Sequence, residues 1–513
     1  MEDHLKMNGF KKVLCGLLAL LTVVPILVSC GGDTDDPVSE GTSGADTQAA
    51  DTEAVTGETL RAQAKDDLPS GLDFDGQTIT FLYRDIDHIE KYMLIGENNG
   101  GDVLFDAVYE RNQTVQDRLN VKFEFKKGPD VTLKLSEEIP KYILAGEADW
   151  DVLLMSAQFG FTQSLLGYYV DLMDLPYVNV DQPWWWTDYM EEESIDTSKR
   201  FLLNGDFTLY ALMSATSAYF NKDMFKNKFG EPDELYALVD EGTWTVDKFL
   251  EYCAGAYEDV NGDGTRDEDD VYGARHTSIF TAVNYLTLSS GLPMHGRDSD
   301  GLPILNIYND NWIKWTEILD KYVMTDEYSK ISKTPNTITT AHYFNNAKSL
   351  FSMSMLYDAS SFRDTEFEYG IVPFPKYSED YDYLSSGATP NAEAVMLPIT
   401  TATSKYDAIG ASLEALSAES YRTVTETYYE TTLKGKYLGS ENDIRMVDTI
   451  YKNIGTNFVM VAGVELGKGA ISSMFVYVIR DHDANLTSYY EANKVTFDKY
   501  MSDMMEKYAE LDV

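Results

Sequence analysis

The sequence predicts an α/β fold built on doubly wound sheets. Residues Gln77-Thr78-Ile79-Thr80-Phe81-Leu82-Tyr83 alternate as a strand does, and residues 121–125 and Val152-Leu153-Leu154-Met155 read as two further strands. Helical patterns stand between them. Asp102 can cap a helix whose apolar positions are Leu104, Phe105, Val108, Val115 and Leu119, and residues 133–145 supply a second. Strand, helix, strand, helix, strand folds most simply as a parallel sheet with its helices as crossovers.

The first residues carry a different message. Lys6, Lys11 and Lys12 precede an apolar run at residues 13–28. That run is shorter than the about 20 residues a spanning helix needs, and it suits a signal peptide. It ends in Leu27-Val28-Ser29-Cys30-Gly31, the order of a bacterial lipobox. Residues 1–29 are therefore expected to be removed and Cys30 acylated, since two or more acyl chains anchor stably where one does not. Residues 30–69, rich in Gly, Ser, Thr, Ala, Asp and Glu and free of aromatics, are expected to form a disordered acidic tether. With Cys15 removed and Cys30 acylated, Cys253 is left alone, so no internal disulfide is expected. Its apolar helical setting marks it as a buried small hydrophobe.

Composition excludes some partners. The chain has 85 acidic against 41 basic side chains, a formal charge of −44, which repels nucleic acid and anionic lipid headgroups. Aromatics are 13% of the sequence, with 35 Tyr, and such side chains combine flat apolar faces with polar rims.

Several motifs occur in a fixed order over nearly all of residues 72–460. They are Asp106-Ala107-Val108-Tyr109-Glu110-Arg111-Asn112, Pro183-Trp184-Trp185, Tyr219-Phe220-Asn221-Lys222-Asp223-Met224-Phe225 and Gly242-Thr243-Trp244-Thr245-Val246-Asp247. Then come Asp259-Val260-Asn261-Gly262-Asp263-Gly264 with Tyr272-Gly273, Val372-Pro373-Phe374-Pro375-Lys376, Ser420-Tyr421-Arg422, Tyr429 and Leu433-Lys434. Taken together they resemble the family 1 extracellular solute-binding proteins, which serve mainly sugar and oligosaccharide importers. The resemblance implies a two-lobed, periplasmic-binding-protein-like clamp, each lobe a doubly wound sheet flanked by helices, with a hinge between. Residues 70–215 and 390–425 would form lobe one, and residues 216–389 and 426–513 lobe two. It also implies a small carbohydrate solute passed to ABC permease subunits. The protein would be a monomer, held on the outer face of the bacterial cytoplasmic membrane by its lipid alone.

Residues 259–270 follow the spacing of an EF-hand loop. Asp259, Asn261 and Asp263 take positions one, three and five, Gly264 the turn at six, Thr265 a carbonyl at seven, Asp267 position nine and Asp270 twelve. Ca²⁺ needs six to eight hard oxygens, and this spacing wraps them about one point. Asp270 is shorter than the usual Glu, so Glu268 is the other candidate for closing the shell. The resemblance adds that some oligosaccharide binders hold structural Ca²⁺ in such a loop. The alternative is a run of Asx turns without metal.

For the solute, Trp184-Trp185-Trp186 is the strongest aromatic lead, because an extended chain sends neighbours to opposite faces. Trp244 is a weaker one, while Trp150, Trp312 and Trp315 read as core. Loops at the carboxyl ends of strands nominate Arg84, Asp85, Ser156 and Gln158, then Tyr357 and Asp358 after the apolar run 349–355, with Asp206 and Asn391 beside them. Serine-hydrolase, zinc-protease and phosphate-loop motifs are absent from the sequence, so no enzyme activity is expected. Two other readings stay open. One is a lipid-anchored glycoside hydrolase, since acidic pairs are plentiful; the other is a calcium-dependent carbohydrate adhesin.

Overall fold

Nine strands build two sheets: β1 (Gln77–Arg84), β2 (Val121–Gly128), β3 (Val152–Ser156), β4 (Thr216–Asn221), β5 (Tyr272–His276), β6 (Ser329–Ile331), β7 (Ser349–Met355), β8 (Tyr369–Val372) and β9 (Glu393–Met396). The structure is a computed structural model that describes residues 61–332, 339–386, 392–437 and 439–511, without the side chains of 432 and 434–437. The signal segment, Cys30, the start of the tether and Asn391 lie outside the described residues.

The first sheet has the order β9-β3-β1-β2 and the second β8-β4-β7-β5-β6. In the first, β1 runs parallel to β2, with Gln77 opposite Val121, and parallel to β3, with Phe81 opposite Val152. In the second, β5 runs parallel to both β6 and β7. The remaining pairings are antiparallel: β9 on β3, and β4 on β7 and β8. Both sheets are thus mixed, where the alternation of elements suggested parallel ones throughout. The reason is connectivity. β4 and β9 are the first strands after the chain passes from one sheet to the other, and no crossover helix within a single sheet dictates their direction.

The helix Val103–Leu119 joins β1 to β2. The Asp102 carboxylate accepts the Leu104 N–H at 2.9 Å, and Asn120 ends the helix in the left-handed region. Its core-facing side is Leu104, Val108, Val115 and Leu119, the spacing foreseen. Arg111 and Asn112 are buried on the same helix. The Arg111 guanidinium donates to Met93 O (2.7 Å), Asn112 Oδ1 (2.8 Å) and Ser420 Oγ (3.1 Å), while its carbon lies 5.0 Å from the Phe207 ring centre. Asn112 Nδ2 donates to Leu94 O at 2.5 Å. One helix therefore fixes the loop after β1, and through Ser420 it holds the end of the later helix Tyr406–Glu419.

Before the helix Val246–Ala256, Trp244 is fully buried and donates Nε1–H to Pro373 O at 2.9 Å, and Cys253 is buried on that helix. Trp312 and Trp315 on Asp310–Met324 are core residues as well, as is Trp150.

Residues 61–69 correct the expected extent of the tether. The Arg61 guanidinium sits 4.4 Å from the Tyr421 ring centre and donates to Tyr451 Oη at 2.9 Å. Asp66 accepts two bonds from Arg118, at 2.6 and 2.7 Å, and Arg422 donates to the Ala64 carbonyl at 3.1 Å. Composition alone suggested a free chain, but four charged side chains fasten this stretch to the body.

Candidate functional site

Two adjoining cavities lie at the carboxyl ends of strands from both sheets. The first, about 300 Å³, is lined by His88 and Met93 from the loop after β1, by Tyr210, Met213 and Ser214 before β4, and by Tyr285, Met355, Tyr357 and Asp358 from the second sheet's side. Three tyrosines give apolar faces with hydroxyl rims. The ring of His88 is 6.1 Å from that of Tyr210, and burial, assisted by the Arg84 charge, pushes its pKa down, favouring the neutral imidazole. Asp358 accepts hydrogen bonds from Ser354 Oγ and from the Met355 N–H (3.3 Å), and burial raises its pKa. Arg111 reaches this cavity indirectly, because the carbonyl it grips belongs to Met93.

The second cavity, about 360 Å³, shares Tyr285 with the first. Gln158 enters it from the helix Ala157–Ser164 after β3. Phe280, Thr281, Asn284, Tyr285 and Leu288 come from one side of the helix Ile279–Ser289, as two neighbouring rows whose members recur at i+3 and i+4. Lys468, Gly469, Ser472, Ser473 and Tyr477 complete the wall.

The galacto-N-biose/lacto-N-biose I-binding protein of an ABC transporter from Bifidobacterium longum, in complex with lacto-N-biose, superposes with a TM-score of 0.54 at 11% identity, covering 84% of this chain and 98% of that one. UgpB from Mycobacterium tuberculosis, in complex with glycerophosphocholine, gives 0.51 at 14% identity over 85% and 100%. The chain shares its fold with these two proteins. By sequence, no family model and no curated protein matches.

Within this fold, the residues nominated from sequence separate. Tyr357, Asp358 and Gln158 line the two cavities. Arg84 sits just beneath them but is committed, forming a buried ion pair with Glu393 of β9. Asp85 pairs with Lys127 at 3.0 Å on the surface. Ser156 is fully buried at the end of β3. Trp184 and Trp185 are buried away from the cavity linings, and both indole N–H groups donate to Glu414, at 3.0 and 2.8 Å. One carboxylate on the helix Tyr406–Glu419 thus satisfies both neighbours, which is how two adjacent indoles become interior residues. Trp186 is half-buried and donates to the buried Asp206 at 3.3 Å, and Trp244 belongs to the second sheet's core.

Sequence reasoning missed His88, Met93, Tyr210, Met213, Tyr285, Asn284, Lys468, Ser472 and Ser473 among the lining residues. Lys468, between two glycines, was the one local signal available.

In residues 259–270 the side chains hold the loop's own backbone. Asp259 accepts the N–H groups of Gly262 and Gly264 at 2.7 and 2.8 Å, Asn261 that of Asp263 at 3.0 Å, and Asp263 that of Thr265 at 2.7 Å. Asp270 is fully buried and accepts from Val260 N–H, Asp267 N–H and Tyr257 Oη at 3.0–3.2 Å. Glu268 points elsewhere, paired with Arg275. The oxygen-only donor chemistry fits a hard cation, with Asp270 rather than Glu268 turned inward. Among the described residues, however, no three acidic, His or Cys side chains converge on one point.

Proposed function

We propose that this chain captures a sugar or oligosaccharide between its two lobes and delivers it, unaltered, to an ABC permease. The supporting observation is the pair of joined cavities, fed by the strand ends of both sheets and combining three tyrosine faces with amide, hydroxyl and carboxylate side chains. Pyranose C–H faces match aromatic rings, and the polar groups suit sugar hydroxyls. Because the lining comes from both sheets, bound solute favours the arrangement in which the lobes contact it together. A glycosidase needs two carboxyl groups about 5–9.5 Å apart. Among the described residues that line the two cavities, Asp358 alone carries one. Titration calorimetry with neutral and acidic disaccharides to tetrasaccharides should yield a member that saturates one-to-one. Failure of the whole series would remove the sugar reading.

The lipobox supports anchoring through Cys30 at the outer face of the cytoplasmic membrane. Cys30→Ala expressed in a bacterial host should lose all acyl-chain label, and label retained by the variant would refute the anchor.

Residues 259–270 are proposed to hold structural Ca²⁺ through Asp259, Asn261, Asp263, the Thr265 carbonyl, Asp267 and Asp270. A cation here would replace some of the amide contacts that these carboxylates now make. A ligand that binds only the folded state adds about 2.7 kcal/mol at a hundredfold excess over Kd. Chelator-treated protein should melt earlier than protein in millimolar Ca²⁺, and Asp263→Ala should erase the difference. Equal melting of metal-stripped and Ca²⁺-loaded protein would rule the ion out.

A further inference from the structure

The second cavity is chemically unlike the rest of the chain. In a sequence with 85 Asp and Glu against 41 Lys and Arg, none of its lining residues is acidic, and one is Lys468. Lys468 has no carboxylate within ion-pair distance among the described residues. The nearest acid in sequence, Glu465, is already paired with Lys507 at 2.5 Å. Lys468 stands between Gly467 and Gly469, all three with positive φ (85°, 53° and 99°). The glycines adopt this backbone freely, whereas a lysine in the left-handed region is strained, a cost met at functional sites.

The neutral polar groups around it are also uncommitted. Asn284, Ser472 and Ser473 are 6%, 7% and 4% exposed, and their side chains make no hydrogen bond to any described residue; the side chain of Gln158 makes none either. Their polar atoms are not sealed in the protein but open onto the cavity, where a ligand can take them as partners. Three buried polar side chains, joined by the half-buried Gln158 and the exposed ammonium of Lys468, face one cavity as a preformed polar site.

We propose that this cavity reads an anionic substituent on the captured sugar, so that the solute is an acidic rather than a neutral saccharide. The inference rests on the sugar-capture reading above and names its substrate class. Lys468 supplies the charge. Ser472 and Ser473 donate hydroxyl hydrogens to the anion, Asn284 and Gln158 hold neighbouring hydroxyls, and Tyr285 joins the site to the tyrosine-lined cavity. A carboxylate, sulfate or phosphate ester would meet the same donors, and the experiment distinguishes them.

The full chain is titrated calorimetrically with a neutral trisaccharide and with three derivatives carrying, at the same terminal sugar, a uronic carboxylate, a 6-sulfate or a 6-phosphate. At least one anionic member should bind about tenfold more tightly than the neutral parent, the scale of one hydrogen bond to a charged group. That advantage should shrink between 20 and 200 mM NaCl, because a partly exposed ammonium is screened. Lys468→Gln should abolish the preference, so that on the variant the anionic sugars bind no more tightly than the neutral parent, and Lys468→Arg should retain it. Equal binding of all four sugars, or a preference that survives Lys468→Gln, overturns the acidic-sugar inference and leaves sugar capture standing. Binding of none of them overturns both.

Discussion

Arg111→Met should lower the unfolding free energy by about 3–5 kcal/mol, the scale of removing one partner from a buried charged network. It should also weaken solute binding in whatever protein remains folded. The guanidinium is fully enclosed, and burial pushes its pKa down to about 9 despite the opposing charge of Glu419. Without it, Met93 O, Ser420 Oγ and one face of Asn112 lose their donor, and each buried acceptor left unmet costs about 1–3 kcal/mol. Arg111→Lys should rescue little, because an ammonium cannot span acceptors arranged around a planar fork. The binding effect follows from position: Met93 lines the tyrosine cavity, and Arg111 sets where it stands. Urea titration and calorimetry of the two variants measure both effects. An unchanged urea midpoint in Arg111→Met would contradict the structural role.

Stability should fall as pH rises from about 5 to about 8.5. Four buried carboxyl groups carry raised pKa values, each mainly because burial disfavours the charged form: Asp206 up to about 6, Glu393 and Glu414 to about 7, and Glu193 to about 8. The ordinary values are 3.8 for Asp and 4.5 for Glu, so between about pH 4 and 8 the folded chain holds protons that the unfolded chain has released. The stabilisation is complete below the unfolded pKa and is lost as pH passes through the folded one. One pKa unit is worth about 1.4 kcal/mol, so four groups shifted together place the total at several kcal/mol. Self-repulsion of a chain at −44 acts in the same direction. Calorimetric melts at fixed ionic strength should show Tm highest near pH 5 and lower by several degrees at pH 8.5. A Tm that is flat or rises over this range would contradict the assignment.

The fold was more legible than the site, for physical reasons that particular residues make plain. The helical period from Leu104 to Leu119 reports which face is buried, and the period-two pattern does so for residues 78–81, while Phe81 to Arg84 are buried on both faces of the strand. The direction of β4 and β9 could not be read, because no local pattern records whether a strand entering from another sheet pairs parallel or antiparallel. Rule-based placement at strand ends found Tyr357, Asp358 and Gln158. It failed for Arg84, because Glu393, 309 residues away, neutralises that side chain. The tryptophan triplet misled for the same reason. Alternation argued that at least one of three adjacent indoles faces a groove or solvent; Glu414, about 230 residues away, draws Trp184 and Trp185 both inward and leaves only Trp186 half-buried. The lining residues that were missed, such as Tyr285, Asn284 and Ser472, are ordinary helix and loop residues whose role comes only from what stands opposite. The tether was misjudged at its end because Asp66 and Arg61 find partners only in the folded body.

The central claim is that the cleft holds a sugar and releases it unchanged. The most direct test incubates the full chain with a mixed oligosaccharide pool, isolates the protein by gel filtration, and weighs the released ligand by mass spectrometry after minutes and again after a day. The account predicts one oligosaccharide class, in one-to-one amount and of identical mass at both times, and its loss from Tyr357→Ala. Shortened fragments at the later time, or a protein fraction free of sugar throughout, would contradict it.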